Sequence, residues 1–388
     1  MELSLAERDD RIRQSFQQEV ESSFVARNIG ELPHSYDTIS TDWLTSILCR
    51  NTNGAVVADY SLGAPDDGTS NRRRIFLRYN AAGQAAGLPS TVFCKSSQKL
   101  VHRLQHANIG LVIGEVAFYS RYRPMFDIEA PNPIFAAYDP VSYNSIIMLE
   151  DLDERGAGFC NHETPITRGR IENQLSTLAQ LHGRYYGTSE VADAKIMTLE
   201  GIFRATDRWL GLEVACDKGF AAAESVIPNR LFRRRAEVWE PTLKAVEMQN
   251  SLPLTFTHND VHLRNWYITG EGRMGLSDWQ TFARGHWGFD LAYLISCNLT
   301  VENRRLWESD LIRYYVEELR EFGGPTVSFD DAFLLYRRHF LSALTWWTVT
   351  NAPPENGPEY YQPEDATLEF IGRMTTAIDD LDAMDSYD

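Results

Sequence analysis

Two regimes of hydrophobic patterning divide the chain. Between residues 55 and 150, short apolar runs bounded by turn residues read as strands: Arg74-Ile75-Phe76-Leu77-Arg78-Tyr79, Thr91-Val92-Phe93-Cys94-Lys95 and Ser145-Ile146-Ile147-Met148-Leu149-Glu150-Asp151-Leu152. One helix falls among them, Val112–Tyr119, with Val112, Glu115, Val116 and Tyr119 on one face. From about Glu154 onward the spacing is helical, over Thr167–Tyr186, Leu199–Cys216, Asn229–Met248, Asn303–Phe322 and Phe329–Thr350. The Pro-rich run Pro353–Pro358 ends the last of these, and a final helix runs from about Pro363 to Leu381. A charged helical lead-in occupies residues 1–30, and Ser40-Thr41 caps a short helix Asp42–Cys49. The expected class is α+β: an N-terminal lobe over residues 1–152 with an antiparallel sheet plus a helix, and a larger, mainly helical lobe over 153–388.

One stretch interrupts the helices. Thr257-His258-Asn259-Asp260-Val261-His262-Leu263-Arg264-Asn265 leads into Trp266-Tyr267-Ile268, a turn with Gly270 and Gly272, and Met274-Gly275-Leu276-Ser277-Asp278. A hairpin centred on those glycines brings Asn265 and Asp278 to the same open end. The spacing His-x-Asp-x-x-x-x-Asn followed by a strand-borne Asp suits kinase-type phosphoryl transfer. Asp260 would accept the proton of an attacking hydroxyl; Asn265 and Asp278 would hold Mg²⁺, an ion that takes oxygen ligands and few protein carboxylates. Taken alone, the motif is short enough that a capping or turn Asp fits it equally well. A metalloprotease reading of His258 and His262 fails because no Glu stands beside the first His.

Further elements appear in the order such chemistry needs. Ser61–Asn71 is a loop of small residues, with Gly68, Thr69, Ser70 and Asn71 as candidates to approach phosphate; an ordinary turn is the other reading. Lys95 ends an apolar strand and is either a phosphate-binding ammonium or a solvated strand end. Glu115, inside an apolar helix face, needs a partner, and Lys95 is the candidate. The strand ending at Leu149-Glu150-Asp151-Leu152 is placed as a hinge whose backbone would meet adenine, with Glu150 and Leu152 as the contact residues and Leu149 and Leu152 as packing surfaces.

On these residues, with Leu178–Gly183 and Gly285-His286-Trp287-Gly288-Phe289-Asp290-Leu291-Ala292-Tyr293, the chain resembles the aminoglycoside phosphotransferase and choline kinase group, especially its ecdysteroid-kinase-like and bacterial phosphotransferase-family relatives. The resemblance spans roughly residues 40–350. It implies a two-lobed protein-kinase-like fold and transfer of the ATP γ-phosphate to a hydroxyl of a small molecule. Asp260 resembles the catalytic base, Asn265 and Asp278 the Mg²⁺ ligands, and Lys95 with Glu115 the α/β-phosphate lysine and its partner. Asp290 resembles the Asp that supports the catalytic loop, along with His258. Relatives commonly carry Gly where this chain has Asn259, and Asn tolerates the left-handed backbone that Gly would supply.

Composition narrows the partners. A net charge of −17 argues against nucleic acid and anionic membranes, and the Arg72-Arg73-Arg74 run reads as a solvated strand edge. The charged first ten residues lack the apolar core of a secretory signal, and no apolar run reaches the roughly 18 residues of a membrane span. Five scattered cysteines without a CxxC suit reduced thiols in the cytoplasm. Neither a G-x-S-x-G elbow nor a Walker A loop is present. An acidic tail over Asp379–Asp388 is expected to fray.

The acceptor remains open at this level. Trp346 and Trp347 are adjacent on one helix and so point about 100° apart, which makes one of them a candidate pocket wall. His262 and Arg264, inside the loop, are further candidates; Arg264 would steady the γ-phosphate or bond the loop backbone. An aromatic C-terminal lobe favours a bulky apolar alcohol. The alternatives are an aminoglycoside or amino-alcohol kinase, a protein kinase, against which the loop lacks His-Arg-Asp and Asp278 lacks a following Phe-Gly, and a non-catalytic nucleotide-binding scaffold.

Overall fold

Alternation and turn chemistry build the first half of the molecule. In the computed structural model, which describes residues 4–355 and 362–387, strand Asn71–Tyr79 buries Ile75, Leu77 and Tyr79 and turns Phe76 and Arg78 outward. It lies inside a six-stranded antiparallel sheet, between Val57–Leu62 and Thr91–Ser96, followed by Ser145–Glu150 and Pro133–Tyr138. Helix Thr41–Leu48, capped by Ser40, covers one face with Trp43, Leu44 and Ile47 against Ile75, Val92, Cys94, Ile146 and Met148. These elements belong to one compact unit, up to Met125 together with Pro131–Gly156.

The arginine run departs from expectation. It sits on an interior strand rather than an edge, and each guanidinium has a partner. Arg72 pairs with Asp66, Arg73 donates to the Gly63 carbonyl at 3.1 Å, and Arg74 grips the buried Asp151 at 2.6 Å and also Asp153.

The expected helix Val112–Tyr119 is the second of a linked pair. Helix Leu100–Ile109 precedes it, Gly110 (φ 77°) forms the joint, and helix Leu111–Ala117 follows and continues into a π turn at Phe118–Tyr122. The lead-in forms helix Leu5–Glu21 with a Ser4–Glu7 capping box.

The second unit comprises Phe126–Ala130 and residues from Ala157 onward. Its axis is helix Trp287–Asn298, in which every residue is buried. Helices Arg168–Gly183, Val301–Glu321, Phe329–Asn351 and Glu364–Asp380 pack around it. The expected helix Leu199–Cys216 is split by Gly211 (φ 66°) into Leu199–Leu210 and Leu212–Ala222. The expected helix Asn229–Met248 is likewise split, into Asn229–Phe232 and Trp239–Met248. Of the Pro-rich breaker, Asn356–Pro358 lie outside the described residues.

The acidic tail does not fray within the described residues. Asp379 pairs with Arg230 at 2.8 Å, Asp380 with Arg304 and Arg305, and Asp385 with Arg234 at 2.6 Å. Arg338 donates to the Ser386 carbonyl at 2.9 Å. Asp388 lies outside the described residues. All five cysteines are free and buried, and no helix among the described residues is long and apolar enough to cross a membrane.

Candidate active site

The hairpin forms at the expected place. Strand Trp266–Ile268 pairs with Met274–Leu276, the chain reverses over Thr269–Gly272 with Gly272 at φ 85°, and the Thr269 N–H reaches the Arg273 carbonyl at 2.9 Å. Gly275 is required: a Cβ there would stand 2.2 Å from the Tyr267 ring, which crosses it to donate to Glu129 at 2.9 Å. At the open end, Ser277 donates both its N–H and its hydroxyl to the Asn265 carbonyl, each at 2.8 Å. Asn265 and Asp278 are thereby neighbours. Asp278 adopts φ 59°, ψ 68°, a left-handed conformation that a non-glycine residue takes only where its surroundings enforce it.

Asp290 organises the loop. Its carboxylate accepts the N–H of His258 and of Asn259, both at 2.8 Å, and the His182 ring at 3.0 Å; Tyr315 in turn bonds His182 at 2.7 Å. Asn259 takes φ 66°, the left-handed backbone anticipated for it, and its amide ties to the Thr281 carbonyl at 2.9 Å. His258 is fully buried with both ring nitrogens engaged. Nε2 donates to the Ser277 carbonyl at 3.0 Å and Nδ1 accepts the Asp260 N–H at 3.2 Å. Burial, opposed by the nearby carboxylates, holds its pKa below the ordinary value, so it is neutral and has no nitrogen left for a metal.

The Asp260 side chain remains about one-fifth exposed. One oxygen accepts the Asn265 amide at 2.9 Å; the other faces Tyr293 Oη at 3.3 Å and His262 Nε2 at 3.5 Å. Burial pushes this carboxyl up, but His262, His258 and the Asn265 amide together outweigh it and leave the pKa below the usual 3.8. An ionised carboxylate, partly open and held on both oxygens, is what a general base for a hydroxyl proton requires. The donor set also fits Mg²⁺. The Asn265 amide N–H₂ is committed to Asp260, both to its carboxylate and, at 2.8 Å, to its carbonyl. That leaves the amide oxygen free of the bonds that hold Asp260, and with a carboxylate at Asp278, next to Ser277, the two residues supply oxygen donors of the kind a hard cation takes.

The two tryptophans part company. Trp347 is buried with its ring 5.1 Å from His262 and 4.6 Å from Phe370, whereas Trp346 packs on Phe203 at 6.0 Å among Leu212, Cys216 and Val246, away from the loop. Arg264 is half-buried, and its Nε has no hydrogen-bond partner among the described residues. Tyr293, His182 and Phe370 were missed as individual participants, although Tyr293 and His182 stand in stretches that carried the resemblance.

In the N-terminal unit, Lys95 Nζ lies 2.5 Å from Glu115 Oε1, both side chains buried. The loop candidates fare differently. Gly68 bonds through its N–H to the Ser70 carbonyl, and Ser70 is buried with no hydrogen-bond partner for its hydroxyl among the described residues. Thr69 offers its carbonyl to His106 at 3.2 Å. The Asn71 side chain is engaged within the unit: its amide donates to Asp67 at 2.6 Å, and its oxygen accepts the N–H groups of Gln98 and Lys99. At the expected hinge, the Glu150 carboxylate is occupied by Asn132 and Arg155 and its N–H by the Asn132 carbonyl, so its side chain is a brace; Leu152 is buried.

Residues 150–325 match the family model described as the phosphotransferase enzyme family, APH. That segment contains the whole hairpin and Asp290. Among solved structures, choline kinase from Cryptosporidium parvum Iowa II is similar at a TM-score of 0.50 and 12% identity, over 88% of this chain and 96% of that one. The two share a fold. Choline kinase LicA from Streptococcus pneumoniae aligns at 0.46 and 12% identity over 84% and 94% of the two chains. Spectinomycin phosphotransferase APH(9)-Ia aligns at 0.45 and 14% over 84% and 94%. No curated protein matches in sequence.

Proposed function

We propose that this protein transfers the γ-phosphate of ATP to a hydroxyl group of a small molecule. The observation that carries the proposal is the Asp260 carboxylate, ionised and partly open, held by the Asn265 amide on the loop that leads into the hairpin. Asp260 would orient the acceptor hydroxyl and take its proton as the O–P bond forms. Asn265 and Asp278 would hold Mg²⁺, which when bound neutralises charge on the phosphates. Lys95, fixed by Glu115, would contact the α/β-phosphate oxygens. Arg264, in the same loop, would meet the oxygens of the transferring group. Most of the acceleration would come from positioning and electrostatics. The aromatic surroundings of His262 support a bulky apolar alcohol as acceptor over a polycationic one.

Thermal unfolding with and without Mg·ATP tests the nucleotide site. At a hundred times its Kd a ligand stabilises by roughly 2.7 kcal/mol, and the Mg²⁺-dependent shift should vanish in Asp278→Ala. Asp260→Ala should keep the shift and lose turnover by a factor of about 100 or more. Near-normal turnover in Asp260→Ala would overturn the assignment.

A further inference from the structure

Helix Leu100–Ile109 buries an unusual set of polar side chains, among them His102, Arg103, His106 and Asn108. Each has a partner elsewhere in the N-terminal unit. Toward the 63–71 loop, His102 Nδ1 meets Asn71 Oδ1 at 3.1 Å, His106 meets the Thr69 carbonyl, and Lys99, just before the helix, pairs with Asp67 at 2.6 Å. Toward the strand Thr91–Ser96 that carries Lys95, Arg103 Nε donates to the Ser97 carbonyl at 2.9 Å. Through the Gly110 joint the helix leads to Glu115, the partner of Lys95.

On its remaining side lies helix Leu5–Glu21. Glu19 forms an ion pair with Arg103 at 2.6 Å, and the guanidinium lies over the Phe16 ring at 5.0 Å. Arg8 donates to Asn108 at 2.8 Å, and Asn108 donates to Asp9 at 3.3 Å. The Arg103 side chain is 1% exposed. A guanidinium this buried needs its carboxylate, because an unpaired buried charge is strongly unfavourable. One side chain therefore links the N-terminal helix to the lysine strand, on a helix that also pins the loop.

We propose that helix Leu5–Glu21 is a working part of the nucleotide-binding end of this unit, with Glu19 and Arg103 as positioning residues for Lys95 and the 63–71 loop. The inference rests on the proposed function for its nucleotide readout. Without Glu19, the guanidinium draws toward other acceptors and away from the Ser97 carbonyl. Lys95 and Glu115 then shift together by an amount that matters to phosphate contacts, where about 1 Å is costly.

The test is Glu19→Gln in the full chain, beside Glu19→Asp and the exposed-site control Arg13→Ala. For Glu19→Gln we expect KM for ATP to rise about tenfold with kcat within about twofold. Hydrogen exchange should quicken over Leu111–Ala117 and the 63–71 loop while helix Trp287–Asn298 keeps its protection. Glu19→Asp should restore much of both, and Arg13→Ala should behave as wild type. Glu19→Gln matching Arg13→Ala in KM and exchange would overturn the inference, as would a lowered Tm with unchanged KM and exchange raised evenly across both units. Absence of nucleotide binding in the wild type would instead sink the proposed function, and the exchange comparison would still decide this one.

Discussion

Tyr293 donates its hydroxyl to the carboxylate of Asp260 across 3.3 Å, from a helix whose every residue is buried. The bond favours the ionised carboxylate, so the tyrosine acts on the protonation state of the candidate base as well as on its orientation.

Tyr293→Phe removes that donor and keeps the ring. The loss of one hydrogen bond to a charged group is worth about 1.5 kcal/mol, roughly a tenfold fall in kcat/KM at neutral pH. The acid limb of the pH–rate profile should move to higher pH, because Asp260 becomes easier to protonate. An unchanged acid limb would show that this bond does not tune the base.

Asp290→Ala leaves two buried N–H groups and the His182 ring without their acceptor. At about 1–3 kcal/mol for each unsatisfied group, urea unfolding should show a loss of roughly 3 kcal/mol or more. Asp290→Asn keeps an acceptor oxygen and should lose less. A cost below about 1 kcal/mol for the alanine variant would mean that the loop finds other partners.

Stability should fall as the solution is acidified below about pH 6.5, where unfolded histidine begins to bind protons. Burial, with neighbouring His339 and His182, holds His286 well below that value; burial pushes His339 down to about 3, and His258 is lowered too. Across that window the unfolded chain takes up protons that the folded chain refuses, so the folded state loses ground as pH drops. Urea midpoints from pH 8 to 5 would show it, with a shallower decline in His339→Gln. A flat midpoint between pH 7 and 5 would contradict the linkage.

Two glycines in the hairpin give a paired comparison. Gly275→Ala drives a methyl into the Tyr267 ring and should cost about 2 kcal/mol by overpacking. Gly272→Ala meets open space but keeps φ 85°, so only about 1 kcal/mol of backbone strain is expected. Equal costs would mean that Tyr267 moves aside freely.

The hairpin that brings Asn265 and Asp278 to one end, the left-handed Asn259 and the Lys95–Glu115 pair were legible because each rests on local turn chemistry or on a charge that demands a partner. Helix Leu100–Ile109 escaped notice for the opposite reason. Its buried face holds His102, Arg103, Gln105, His106 and Asn108, so hydrophobic periodicity is absent and distant partners satisfy the polar groups. Arg72–Arg74 and the acidic tail were misread alike: charge suggested solvent, while Asp151 and the arginines of the 230–234 and 304–305 segments lie about 75 to 150 residues away. That the two adjacent tryptophans would face different surroundings followed from helix geometry. Which of them met the loop depended on the helix's rotation.

The five buried cysteines have a chemical consequence. A thiol reacts as its thiolate, and burial raises the pKa of all of them, to about 11 for Cys160 and about 12 for Cys216. The folded protein is therefore nearly silent to thiol reagents and to mild oxidants. Each cysteine becomes reactive only when its own region opens, so the labelling rate at each site is a clock for local unfolding.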